Sequence, residues 1–109
     1  MAAKKNLRYT RGDTMLNRTF RVYINKEPIV INEAHAHVRI QPTRESQLIF
    51  DLPCTPSGTS VVVGQDFVLE AEPDIYYWDM EIIYDTNKKL TILKGKFELV
   101  PDITYVEGP

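Results

Sequence analysis

Two histidines, His35 and His37, are the residues of this sequence whose type and spacing come closest to a metal site. Residues two apart on a β-strand share a face, so both imidazoles could reach one ion. A structural zinc ion takes four ligands, and the nearest further candidates, Glu33 and Cys54, have no spacing that is typical of such a site. The pattern therefore favours an exposed polar strand face or a protein contact, and we expect no metal and no cofactor.

The single cysteine is a candidate nucleophile, but its sequence context favours a structural role. Cys54 follows Pro53 in a segment, residues 53–58, whose composition predicts a loop. A catalytic thiolate needs a histidine partner and an electropositive setting, and only a coincidence of folding would supply them here. A lone cysteine also cannot form an intrachain disulfide, so we expect the chain to fold in a reducing cytoplasm.

Carboxylates recur between residues 70 and 81. Glu70, Glu72 and Asp74 form an acidic cluster, and Asp79 and Glu81 lie on the outward phase of the strand that follows. Two carboxylates could act as acid and base, but a hydrolase also needs a cleft, and a small sandwich offers little volume for one. We therefore expect solvated surface here, no catalytic residues and no enzyme activity.

Outward-facing aromatic and basic residues are the candidates for protein contact. Tyr23 and Tyr77 fall on the polar phase of their strands, as is typical of aromatic anchors in interfaces. Lys88 and Lys89, with Lys94 and Lys96, give the last hairpin a basic edge, which either guards an outer strand against unwanted pairing or complements an acidic partner. With the histidines, the candidate contact residues are Tyr23, His35, His37, Tyr77, Lys94 and Lys96.

The elements that must position these residues are β-strands. Apolar residues recur with period two, and Gly, Pro, Asn and Asp separate the segments every ten or so residues, which is typical of a sandwich or barrel. The predicted inward rows are Leu16, Phe20, Val22 and Ile24; Ala34, Ala36, Val38 and Ile40; Tyr76, Trp78, Met80, Ile82 and Tyr84; and Leu93, Phe97 and Leu99.

Turn residues and glycines define the connections between these strands. Residues 25–28 and 85–89 predict turns, the second closing a hairpin. Gly95 interrupts the outgoing strand and indicates either a bulge or a close approach of another backbone. Residues 65–72 are compatible with a strand or with a short helical turn. Tyr76, two residues before the inward Trp78, has the placement of a tyrosine corner, whose hydroxyl bonds upstream backbone.

Length and charge limit the class of protein. With 109 residues, 43% of them hydrophobic, the chain suits one domain. A net charge of −2 offers no electrostatic footprint for nucleic acid or an anionic membrane, and no apolar run approaches the ~20 residues that span a bilayer. The start of the chain lacks the apolar core of a secretory signal. We expect a flexible N-terminal arm at 1–6, a domain at 7–104 and a tail at 105–109.

Several stretches together carry a family resemblance. They are residues 9–14 (YTRGDT), 28–34 (PIVINEA), 76–82 (YYWDMEI), 93–97 (LKGKF) and 100–104 (VPDIT). In order and spacing they resemble the immunoglobulin-like domain at the N-terminus of phage baseplate upper proteins and in related tailed-phage virion proteins. The resemblance covers residues 7–104 and implies an all-β, immunoglobulin-like antiparallel β-sandwich of about seven to eight strands.

The resemblance also implies a function. It suggests a structural or docking component of a phage or prophage virion, in the tail or baseplate, made in the host cytoplasm and assembled with other virion proteins as a homo- or hetero-oligomer. Baseplate upper proteins continue into a trimeric receptor-holding region, so with the chain ending at Pro109 we expect tail attachment without receptor binding through a stalk. The alternative is an autonomous ligand-binding sandwich that recognises carbohydrate through Trp78 or exposed tyrosines.

Overall fold

A computed structural model describes residues 2–43 and 45–101 of the chain. Over these residues the protein forms thirteen strand segments and no helix, so no helix capable of crossing a membrane occurs among them. The segments are β1 Ala3–Lys4, β2 Leu7–Thr10, β3 Thr14–Met15, β4 Arg18–Arg21, β5 Tyr23–Ile24, β6 Glu27–Pro28, β7 Ile31–Arg39, β8 Leu48–Leu52, β9 Cys54–Ser57, β10 Ser60–Val63, β11 Phe67–Val68, β12 Asp74–Tyr84 and β13 Lys88–Val100. The tail expected at 105–109 lies outside the described residues.

The strands form two main sheets. The larger has the order β8, β7, β12, β13, with β1 and β2 both pairing in parallel along the far side of β13. The smaller has the order β4, β10, β9, and the short pairs β3 with β11 and β5 with β6 complete the fold. In immunoglobulin terms β4, β10 and β9 correspond to strands B, E and D, and β7, β12 and β13 to C, F and G. The expected all-β, immunoglobulin-like sandwich is confirmed.

The core lies between the two sheets and is apolar. Trp78 on β12 is 2% exposed, and its ring centroid lies 6.4 Å from that of Phe20 on β4. Antibody domains join the equivalent strands B and F by a disulfide, so here an aromatic contact takes that position. Burying an aromatic side chain stabilises the fold by roughly 1.5–3 kcal/mol.

Most of the predicted inward rows are confirmed, and two of their members are wrong. The buried residues among them are Val22, Ala34, Ala36, Val38, Tyr76, Trp78, Met80, Ile82, Phe97 and Leu99. Leu16 is 70% exposed because the chain passes there from β3, paired with β11, to β4, paired with β10, which resets the alternation. Ile40 is 41% exposed because it lies beyond the end of β7.

The loop predicted at 53–58 is wrong, because most of it forms a strand. Cys54–Ser57 is β9, and Pro56 lies opposite Val61 of β10. Since β9 is the edge of the smaller sheet, a proline without an N–H is tolerated there. Residues 65–72 were compatible with a strand or a short helical turn. Phe67–Val68 forms the strand β11, and no helix forms in this segment.

The N-terminal segment differs from the free arm expected at 1–6. Ala3 and Lys4 pair with Leu93 and Lys94, and the Lys5 amide donates to the Lys94 carbonyl at 3.0 Å. This pairing satisfies backbone groups that β13 would otherwise leave open. Consequently β13 is covered on this side from Leu93 onwards, and the guard role considered for Lys94 and Lys96 does not apply.

Candidate docking face and cleft

The outward surface of the larger sheet, which we call the outer face, brings most of the candidate contact residues together. Tyr77 on β12 lies opposite Lys96 on β13 and Arg39 on β7. One row along, Asp79 lies opposite Lys94 and His37 in the same way. Because directly opposed residues share a face, five of the six predicted contact residues belong to this surface: His35, His37, Tyr77, Lys94 and Lys96.

Tyr23 is the exception and lies elsewhere on the molecule. It belongs to β5 and is 56% exposed. With Phe20, Leu90 and Ile92 it lines a second cleft of about 310 Å³ beside β1. Tyr23 is therefore placed on a different surface from the other candidates.

The two histidines stack on each other, and each faces a different carboxylate. Their ring centroids are 6.3 Å apart with an interplanar angle of 1°. His37 Nδ1 lies 2.6 Å from Asp51 Oδ1, and His35 Nε2 lies 3.4 Å from Glu33 Oε1. Within residues 2–43 and 45–101, no group of three or more histidines, cysteines or carboxylates is placed to hold a metal ion. The pair forms a polar strip on the outer face.

A cleft of about 430 Å³ opens on the outer face. Tyr77 and Asp79 lie at its base, between Lys4 and Asn6 on one side and residues 41–43 on the other. The sequence predicted little volume for a cleft in so small a sandwich, and this opening on its surface has walls from outside the sheet. The physical reason is that the N-terminal segment and the turn after β7 both extend past the sheet and supply walls.

The charge of the cleft is predominantly positive. Arg39 Nη1 donates to Asp79 Oδ2 at 2.8 Å, and the two side chains are only 15% and 29% exposed. Lys4 and Lys94 are directly paired across β1 and β13, and both are exposed. Neither these lysines nor Lys96 forms an ion pair with any other described residue. Like charges placed side by side across strands are unfavourable unless an anion compensates them.

Gly95 fixes the wall that carries Lys4. It lies opposite Trp78, and a Cβ at this position would overlap the Lys5 carbonyl oxygen and come within 2.8 Å of Asn6 Oδ1. The missing side chain lets Trp78 Nε1 donate to that carbonyl at 2.7 Å, while Asn6 Oδ1 accepts from the Lys96 amide at 3.0 Å. The sequence predicted either a bulge or a close approach of another backbone at Gly95, and the close approach is confirmed. The register between β12 and β13 shifts elsewhere, between Met80 and Glu81.

The tyrosine corner is confirmed. The Tyr76 hydroxyl donates to the Glu72 carbonyl oxygen, four residues upstream. Burial, with the charges of Asp74 and Glu72, raises the pKa of Tyr76, and Arg11 opposes this shift. Arg11 also lies 3.7 Å from the Glu72 carboxylate, so the predicted acidic cluster is partly neutralised.

Cys54 is half-buried in β9 rather than in a loop. Burial raises the pKa of its thiol to about 11. At neutral pH the thiolate is therefore scarce, which is the opposite of the setting that activates a nucleophilic cysteine.

Arg39, Lys4 and Asn6 are among the residues of the cleft that were not candidates from the sequence. Arg39 could have been predicted from the sequence, because it lies on the same outward side of β7 as His35 and His37. Lys4 and Asn6 could not, since their position depends on parallel pairing with residues about ninety positions later in the chain.

The fold and the outer face define an immunoglobulin-like β-sandwich with a cationic cleft. No model of a known protein family matches the chain, and no curated protein matches it. Among solved structures, the chain is similar to a 2,6-sialyltransferase of Photobacterium sp. JT-ISH-224, of the Vibrionaceae, in a ternary complex with CMP and lactose. The TM-score is 0.36 with 17% identity, covering 92% of this chain and 18% of the other. The chain therefore spans less than a fifth of the length of that enzyme.

Proposed function

We propose that this protein is a structural docking component of a phage or prophage virion, in the tail or baseplate, that acts through contacts of its outer face with other virion proteins. The virion role is supported by the resemblance of residues 7–104 to phage immunoglobulin-like domains. The observation that carries the docking role is the placement of five of the six candidate contact residues on one sheet face. The work proposed is assembly, without turnover or a cofactor.

The composition of the face suits a protein interface. Tyr77 and Arg39 lie half-buried and adjacent on this face, and tyrosine and arginine are enriched among residues that dominate binding energy. The exposed Lys94 and Lys96 lie on the β13 side, where a polar rim would lie. An interface centred on Tyr77 would therefore have an aromatic anchor and a charged border.

The test uses the phage or prophage that encodes the chain. Mass spectrometry of purified particles should detect the protein, and deletion of its gene should block particle formation. A Tyr77→Ser and Arg39→Ser double variant should reduce incorporation, whereas Tyr23→Ser, an exposed tyrosine on the other cleft, should not. Normal, infectious particles that lack the protein would refute the proposal.

A second candidate function is carbohydrate binding, and the cleft is the observation that favours it. Trp78 cannot serve as a sugar platform, because its ring is 2% exposed in the core. Tyr77, at the base of the cleft, remains as the aromatic surface for a sugar ring. Selective binding on a glycan array that is lost in Tyr77→Ser would favour this function over docking.

A further inference from the structure

The cleft contains a concentration of positive charge that the described part of the protein does not neutralise. Lys4 and Lys94 are direct neighbours across two strands, and Lys96 lies two residues further along β13. Asp79 is the one carboxylate among the described residues that line the cleft, and it is already engaged by Arg39 at 2.8 Å. Three lysines therefore face solvent together, and none of them forms an ion pair with a described residue, although Asp79 lies opposite Lys94.

At the base of the cleft only side chains are available for binding, because the backbone groups of β12 and β13 are hydrogen-bonded within the sheet. Strand β12 is hydrogen-bonded on both sides, to β7 and β13, and β13 is hydrogen-bonded to β12 and to the N-terminal strands. An incoming segment cannot add a strand at this place, so recognition must come from charge and from the surface of Tyr77. The volume of about 430 Å³ is within the range of specific ligand sites.

We propose that the cleft receives an acidic segment of a protein partner, with its carboxylates between Lys4, Lys94 and Lys96 and an apolar side chain against Tyr77. This inference rests on the docking function proposed above and names the chemistry of the partner. A protein is favoured over an acidic saccharide because Tyr77 lies between Arg39 on one side and the lysines of β13 and β1 on the other, and an aromatic residue beside an arginine with a charged border is typical of a protein interface. The lysines would also accelerate association with an acidic partner.

Nuclear magnetic resonance titration of the full chain tests this inference. The probe is an acetylated and amidated hexaglutamate peptide, and hexaglutamine is its uncharged control. We expect amide shifts confined to residues around Lys4, Tyr77 and 94–96 with hexaglutamate alone, and a weaker effect at high salt because the contact is ionic. Absence of these shifts, or equal shifts with hexaglutamine, would overturn the inference.

Matched charge variants identify the groups responsible. Lys94→Gln with Lys96→Gln should weaken hexaglutamate binding about fivefold or more, since each exposed ion pair is worth up to about 1 kcal/mol. Lys88→Gln with Lys89→Gln removes the same charge from the hairpin end, outside the cleft, and should leave the affinity unchanged. An unchanged spectral dispersion verifies that both variants fold. Equal affinities for the two variants would contradict the proposal.

A third arm distinguishes the class of occupant. Trigalacturonate supplies carboxylates on sugar rings, and tighter binding of this saccharide than of hexaglutamate would overturn the assignment to a protein. All of these measurements use the isolated chain. If hexaglutamate does not bind in the cleft, the composition of purified particles still tests the proposed virion role. If the protein is absent from particles, the hexaglutamate result still stands.

Discussion

Trp78 Nε1 donates a hydrogen bond to the Lys5 carbonyl oxygen at 2.7 Å, across a position where β13 carries the glycine Gly95. The bond joins a buried side chain of the core to the N-terminal segment. The same segment carries Lys4 and Asn6, which form one wall of the cleft. Packing inside the sandwich thus determines the shape of a surface outside it.

Gly95→Ala should therefore destabilise the protein. The new Cβ overlaps the Lys5 carbonyl and disturbs the Trp78 hydrogen bond, so we expect a loss of about 2 to 3 kcal/mol in urea unfolding. Hydrogen exchange of the Lys5 amide should accelerate as well. Gly58→Ala is the control, because its Cβ meets no atom within 4 Å and only its φ of +62° costs about 1 to 2 kcal/mol. A variant at Gly95 with normal Lys5 exchange would contradict this account.

Tyr76→Phe should remove the tyrosine corner with little other change. The Glu72 carbonyl loses its donor, and we expect a loss of about 1 kcal/mol in unfolding free energy. Tyr77→Phe, which deletes a hydroxyl from the outer face of the same strand, should cost less than half as much. Equal unfolding free energies for Tyr76→Phe and Tyr77→Phe would show that the Tyr76 hydrogen bond does not stabilise the fold.

The stability of the wild type should also fall at high pH through Tyr76. Its pKa is raised above the ordinary value of 10.0, so the unfolded chain loses this proton before the folded chain does. The contribution is complete below about pH 10 and is lost as the pH rises through the folded pKa. Denaturation measured between pH 8 and 11 should show a shallower decline in Tyr76→Phe than in the wild type.

Cys54 should be unreactive in the folded protein. With a pKa of about 11, its thiolate fraction at pH 8 is far below that of an ordinary cysteine, and we expect iodoacetamide to react at least about tenfold more slowly than in urea. Mass spectrometry of timed samples measures both rates. Rapid labelling of the folded chain at neutral pH would show that the thiol is not protected by burial.

Asp79→Asn should separate stability from anion binding. Arg39 loses its partly buried partner, and we expect a loss of about 1 kcal/mol in stability. The cleft meanwhile gains one unit of positive charge, so hexaglutamate affinity should rise about twofold to fivefold. Asp51→Asn makes the same change beside His37, outside the cleft lining, and should leave the affinity nearly unchanged.

The sheet and the core could be predicted from sequence because alternation is a local property. Ala34, Ala36 and Val38, and the row from Tyr76 to Ile82, follow period two and are buried as expected. The strand at Cys54–Ser57 was missed because Pro56 has the composition of a loop, while its tolerance depends on β9 being an edge.

The outer face was foreseen in part, and the cleft was not. His37 and Tyr77 were assigned outward by phase alone, but their adjacency follows from strand order, with β7 beside β12. The N-terminal wall depends on parallel pairing of Ala3 with Leu93, and no pattern within either segment specifies that partner. Long-range pairing is the part of this fold that a single sequence leaves undetermined.

The parallel pairing of the first and last strands has a mechanical consequence. Residue Ala3 lies beside Leu93 and Thr10 lies beside Val100, so the two strands run in the same direction. A tensile force that pulled residue 3 and residue 100 apart along the strands would load their connecting hydrogen bonds in shear. Bonds loaded in shear must break together rather than one after another, so the sandwich should resist stretching between its ends.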